Sequence, residues 1–118
     1  MEVETTKFVL CAEDMSRALG FWRDAFGFPA KFTDEHWSEL DLGGASLALH
    51  GGHDGTVRES GFSVQVKDLD EALREIEAAG GTIVRAAESR PGEPIRLGVA
   101  RDTEGNEFMI TQYVGGSR

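Results

Sequence analysis

The side chains able to do chemistry in this chain are few, and their spacing decides what that chemistry is. His50 and His53 form His-Gly-Gly-His, which invites a metal reading. Two histidines without a third fixed ligand, separated by two flexible glycines, make a loose site. The expected role of His50 is a hydrogen bond to a ligand or to a partner subunit, or simple exposure to solvent. Lys7 is suited to neutralising an anionic ligand, or to acting as a base if desolvated; a surface lysine near the terminus is the plainer alternative. Glu39 and Asp41 could hold a cationic ligand or, buried together, shift in pKa, unless they sit on a solvated edge. Trp37 shares their strand phase, and a tryptophan on that phase usually has something to stack on. Cys11 has no base or helix N-terminus beside it to make a reactive thiolate and reads as a small buried hydrophobe. His36 opens a strand on the phase opposite Trp37 and reads as a solvated strand end. No Ser-His-Asp or Cys-His arrangement is suggested. Gly43-Gly44 and Gly51-Gly52 lack the following helix that a phosphate loop needs.

The elements that must position these residues come as one unit written twice. Residue n matches residue n + 54: Asp14 falls on Asp68, Ala18 on Ala72, Leu19 on Leu73, Trp22 on Ile76 and Gly27 on Gly81. Repeats of this kind govern the fold. Each copy opens with an alternating strand (Lys7–Ala12; Gly61–Val66), followed by an Asp that starts a helix. Asp68 with Glu71 makes a capping-box pattern, whereas Asp14 stands as a plain N-cap. Each helix carries an apolar stripe and stops at Gly27 or at Gly80-Gly81. Three further strands are expected around 28–33, 36–42 and 46–50, and again around 82–86, 95–101 and 107–113. Residues 88–94, with two prolines and a glycine, read as a loop, and residues 51–58 as the linker. The expectation is an α+β fold, one domain over 1–118, with βαβββ modules at about 6–50 and 60–114 and a helix on one face of each small sheet.

Period-two alternation separates the strand faces. Phe8, Leu10, Ala12, Leu47, Leu49, Phe62, Val64, Val66, Phe108 and Ile110 fall on the helix side. The opposite, cleft side collects Lys7, Val9, Cys11, Trp37, Glu39, Asp41, Ala48, His50, Gly61, Ser63, Gln65, Met109 and Thr111. Glu107 shares the phase of Met109, although the adjacent turn leaves its direction open. Trp37 with Val9, Ser63, Gln65, Met109 and Thr111 would give a mostly apolar pocket with a few polar groups to fix a ligand.

Bulk properties narrow the partners. With 12 basic and 21 acidic residues, the net charge of −9 opposes nucleic acid and anionic membrane surfaces. It would favour a cationic ligand through the overall field. No apolar run is long enough to span a membrane. A single cysteine excludes an internal disulfide and, with no secretory signal pattern at the first residues, leads to a cytoplasmic expectation.

The duplicated pattern resembles the vicinal oxygen chelate superfamily, which includes glyoxalases, extradiol dioxygenases, fosfomycin-resistance transferases and bleomycin-resistance binding proteins. Two segments carry the resemblance: Asp14-Met15-Ser16-Arg17-Ala18-Leu19-Gly20-Phe21-Trp22 with Phe26-Gly27-Phe28, and Arg101-Asp102-Thr103-Glu104-Gly105-Asn106-Glu107-Phe108. Gly105-Asn106 supplies positive-φ residues for a tight hairpin. The resemblance implies up to four metal-ligand positions, which fall on Lys7, Ala48, Gly61 and Met109. None is an ordinary ligand for Mg, Mn, Fe(II) or Zn. The expectation is therefore a protein without a cofactor or metal, closest in character to the bleomycin-resistance branch. It would bind a cationic or aromatic small molecule, by sequestration or non-covalent presentation, as a homodimer whose partner completes the cleft. Two alternatives stand beside it: a metal-dependent enzyme using His50 with Glu39 or Glu107, and a metal-independent lyase or isomerase using Lys7, His50 or Glu39 as acid or base.

Overall fold

The computed structural model describes residues 1–115. In chain order the elements are β1 (Lys7–Cys11), α1 (Met15–Phe26), β2 (Ala30–Phe32), β3 (Trp37–Asp41), β4 (Ser46–His50), β5 (Arg58–Gln65), α2 (Leu69–Ala78), β6 (Thr82–Ser89), β7 (Ile95–Arg101) and β8 (Asn106–Tyr113). They form two four-stranded sheets of the same design, β1-β4-β3-β2 and β5-β8-β7-β6. In each, the first and last strands pair in parallel and the other neighbours are antiparallel. The fold is α+β with two βαβββ modules in tandem.

The helix starts follow the sequence signals. Asp14 and Asp68 take extended N-cap conformations and accept hydrogen bonds from the backbone N–H of Arg17 and Glu71, as short polar caps do. Gly27 ends α1 in the left-handed region at φ 69°. One apolar core joins the two modules, because the stripes of both helices pack with both sheets' inner faces. Trp22 sits at its centre, with ring centroids 4.9 Å from Phe108, 5.1 Å from Phe26 and 5.8 Å from Phe62. Its indole N–H donates to Asp102 Oδ2 at 3.2 Å, so a first-module helix is tied to a second-module turn.

That turn, between β7 and β8, is where the structure departs most from expectation. Only Gly105 has positive φ, at 87°, and no non-glycine among the described residues does. A Cβ there would come within 2.6 Å of the Gly55 carbonyl oxygen, so glycine is required on both counts. Asn106 does different work. Its side chain receives the Cys11 N–H at 3.0 Å and donates to the Cys11 carbonyl at 2.7 Å, pairing with the end of β1. Glu104 is wholly buried and accepts from the backbone N–H groups of Glu13 and Asp14, the Thr103 hydroxyl and the Arg17 guanidinium. The turn thus clamps the start of α1 and the end of β1 to the second module.

Two boundaries differ most. β6 runs on through Ser89, so only 90–94 remain as loop, and β5 starts at Arg58, inside the expected linker. Both strands pair irregularly with their neighbours, with register shifts on each. Such bulges blur the period-two pattern on which the shorter spans were based.

Candidate functional site

The cleft-side residues of the first sheet are brought together by register. β4 lies between β1 and β3, with Val9 and Glu39 flanking Ala48, and Cys11 and Trp37 flanking His50. Strands lie about 4.8 Å apart, so a contact from β1 to β3 must cross β4. The methyl of Ala48 leaves room for it. Lys7 Nζ reaches over and donates to Glu39 Oε2 at 2.8 Å. The Trp37 indole N–H donates to the same oxygen at 2.8 Å. The ammonium stands 6.0 Å from the Trp37 ring centroid, at the outer range of a cation–π contact. On the next strand His50 packs edge-on to Trp37, centroids 5.8 Å apart.

Burial within this cluster is uneven, and that sets its electrostatics. The Glu39 side chain is 7% exposed and that of Lys7 41%. The solvated-edge reading of Glu39 is therefore corrected, because the carboxylate lies beneath the lysine and the indole. Its pKa is held below the ordinary glutamate value of 4.5, first by the Lys7 hydrogen bond and then by Trp37, against a smaller opposing effect of burial. Glu104 is also depressed. Burial, the largest single influence, would raise it, but Arg17, the Asp14 N–H and the Thr103 hydroxyl together outweigh that. Asp102 goes the other way, raised by burial despite its bonds from Asn106, Glu104 and Trp22.

The signs give a pH dependence. A carboxylate depressed on folding stabilises the fold fully above its ordinary value and loses that contribution as pH falls through the folded value. For Glu39 the loss therefore sets in below about pH 4.5. Glu39→Gln removes it, so the fall in melting temperature on acidification below that pH should be shallower than in the unaltered protein.

His50 Nδ1 and His53 Nε2 lie 3.0 Å apart, so one ring donates to the other. This confines the pair to each other at an exposed strand end. Asp41 turns its Oδ1 to the Gly43 N–H and serves the β3–β4 turn. His36 is exposed, and its backbone N–H donates to Asp34.

The remaining sequence candidates lie on the second sheet. Ser63 and Gln65 are register partners of Met109 and Thr111, and Met109 partners Val99 on its other side. Gly61 takes φ 72° where the β5–β8 register shifts. A cavity of about 430 Å³ opens over this face, floored by Leu97, Val99 and Met109 with Arg85 and Arg90 among its lining. Lys7, Trp37, Glu39 and His50 take no part in it. Glu107, also lining it, is paired with Arg101 at 3.1 Å. A single chain thus presents two half-sites, one per sheet, and does not gather the predicted set into one pocket. Sequence reasoning missed Arg85, Arg90, Leu97 and Val99. The alternation of Leu97, Val99 and Arg101 along β7 could have found some of them.

Comparison with known proteins gives this architecture its place. A family model described as a glyoxalase-like domain matches residues 7–111. The chain belongs to that glyoxalase-like family. An uncharacterized protein of Mycolicibacterium smegmatis is 32% identical over 109 residues, covering 91% of each chain. Two solved structures share the fold. One is a member of the glyoxalase/bleomycin resistance protein/dioxygenase superfamily from Sphaerobacter thermophilus, with TM-score 0.78, 22% identity, and 95% and 98% of the two chains covered. The other is a genomically encoded fosfomycin resistance protein from Listeria monocytogenes, with TM-score 0.77, 16% identity, and 95% and 94% covered.

The four positions where the resemblance places metal ligands do not fit a divalent ion in this glyoxalase-like chain. Lys7 offers only donors when protonated and is engaged with Glu39. Ala48 and Gly61 have no ligating atom, and the Met109 thioether suits soft metals. Among the described residues no group of three or more His, Cys, Asp or Glu side chains is placed to hold a metal ion. No helix among them is long and apolar enough to cross a membrane.

Proposed function

We propose that this glyoxalase-like protein binds an aromatic small molecule without a metal, by sequestration or non-covalent presentation, and that it does so as a homodimer. The observation that carries the reading is the Lys7–Glu39–Trp37 cluster. It puts an ion pair across the strand position where a first-sheet metal ligand would stand, and it locks an indole in place on the cleft side. A ring fixed through its N–H loses little freedom when a ligand stacks on it, which favours affinity.

The dimer follows from the halved site. Val9 on edge strand β1 and Met109 beside edge strand β5 are exposed apolar groups on the cleft side of the two sheets. A second copy that set its second sheet against this first sheet would cover them and close one cleft from both half-sites. Metal-dependent turnover through His50 with Glu39 or Glu107 is disfavoured by the partners those residues already hold.

A thermal-shift screen of chelator-treated protein against aromatic small molecules, cationic aromatic antibiotics among them, tests the proposal. A ligand that binds only the folded state at a hundred times its Kd stabilises it by about 2.7 kcal/mol. The expected result is a rise of several degrees with at least one compound. No rise with any compound, together with turnover of a hemithioacetal or catechol once Mn or Ni is added, would contradict it.

A further inference from the structure

We propose that the first-sheet half-site selects planar aromatic acids, with the ligand carboxylate held by Lys7 and Lys31 and its ring against Trp37. This rests on the binding function proposed above and adds the sign of the ligand's charge. The overall net charge of −9 points toward cations, but the local arrangement points the other way. In the Lys7–Glu39 pair the anion is the buried member and the cation the exposed one. A ligand arriving from solvent therefore meets the ammonium. Glu39 is screened behind it and already accepts from two donors on one oxygen.

A second cation stands nearby. Lys31, exposed on β2, donates to Ser46 Oγ at 2.7 Å, and Ser46 is the register partner of Lys7. The Lys31 ammonium thus bonds the buried serine that stands beside Lys7 in the β1–β4 register. An ammonium has three donors, and the structure assigns Lys7 one bond to Glu39 and Lys31 one to Ser46, which leaves donors for a carboxylate. Asp41, the other carboxylate on this face of β3, partners Ser46 but directs an oxygen to the Gly43 N–H.

Distance decides between the global and the local effect. Exposed charges more than about 8 Å apart are largely screened at physiological ionic strength. A carboxylate on Lys7 would sit within hydrogen-bond reach, about 2.8 Å. The diffuse acidity slows the approach of an anion, and the contact charge governs whether it stays.

Calorimetric titration with three probes of one shape tests this: 2-naphthoate, neutral 2-naphthamide and 2-naphthylmethylammonium. The expected order is naphthoate tightest, at least about tenfold over the amide, a difference of about 1.4 kcal/mol, and the ammonium weakest. Lys7→Gln should lower naphthoate affinity at least about tenfold and Lys31→Gln a few-fold, on the scale set by single charge-assisted hydrogen bonds. Glu39→Gln frees the Lys7 charge while keeping an acceptor for Trp37, so it should tighten naphthoate binding. Lys31→Gln and Glu39→Gln keep the test valid if Lys7→Gln fails to fold, which circular dichroism reports. Tightest binding by the ammonium probe, or equal binding of all three, overturns the charge selection and leaves metal-free aromatic binding standing. Loss of naphthoate affinity in Glu39→Gln likewise overturns it. No binding of any probe to the folded protein overturns the charge selection, while the thermal-shift screen decides the binding function by itself.

Discussion

Glu104→Ala is expected to unfold this protein more readily than any single change in the cleft, at a cost of about 3 kcal/mol. Glu104 is wholly buried and is the common acceptor for the Glu13 and Asp14 N–H groups, the Thr103 hydroxyl and the Arg17 guanidinium. Removing it leaves two backbone donors at the start of α1 without their partner, each worth about 1–3 kcal/mol when desolvated. Arg17 is half-exposed and can turn to water, which limits the loss. A domain of this size is stable by only about 5–15 kcal/mol, so the melting temperature should fall by about 10 °C. Glu104→Gln should cost less, because an amide oxygen still accepts. Calorimetric melting of the three proteins at neutral pH checks the order. Equal melting temperatures for Glu104→Ala and the unaltered protein would show that the clamp does not hold the modules.

Trp37→Ala should have the opposite profile. Its ring is partly buried and outside the core, so the loss of stability should be small, the bond to Glu39, about 1 kcal/mol, and part of its apolar contact. Ligand affinity should fall much further. Loss of a stacking surface and of the apolar area it buries amounts to about 2 kcal/mol, or roughly thirtyfold in Kd. Titration of 2-naphthoate into both proteins reads this directly. An unchanged Kd would move the ligand off the first sheet, and the 430 Å³ cavity of the second would become the better candidate. Together the two substitutions separate the residue that holds the scaffold from the residue that meets the ligand.

How much of this the sequence carried varies with the kind of interaction. The repeat, the Asp caps and the Gly27 stop are local signals, and each appears in the structure where its residues stand. The apolar stripe centred on Trp22 was equally legible, since helical periodicity alone places it inward. The Lys7–Glu39 bond was not, because it depends on β4 lying between β1 and β3 and on Ala48 being small enough to be crossed. Complementary charges on the cleft phase of both strands are the only local hint of it. Asn106 looked like a turn former. Its side chain binds the backbone of Cys11, ninety-five positions away, which no local pattern encodes. Pro91 and Pro94 suggest a loop from Glu88 onward, whereas β6 passes through bulges to Ser89.

The resemblance to a metal-bearing superfamily and the side chains of this cleft point to different chemistry, and the cleft residues are the ones a ligand would touch. A fold inherited with metal positions can keep its shape while Lys7, Ala48, Gly61 and Met109 alter what the shape contains. The most direct test is one calorimetric comparison: 2-naphthoate titrated into protein stripped with EDTA, then into the same protein with excess Mn, Ni or Zn. Metal-independent binding predicts the same Kd, within about twofold, in every titration. Binding that appears only when a metal is restored would contradict it.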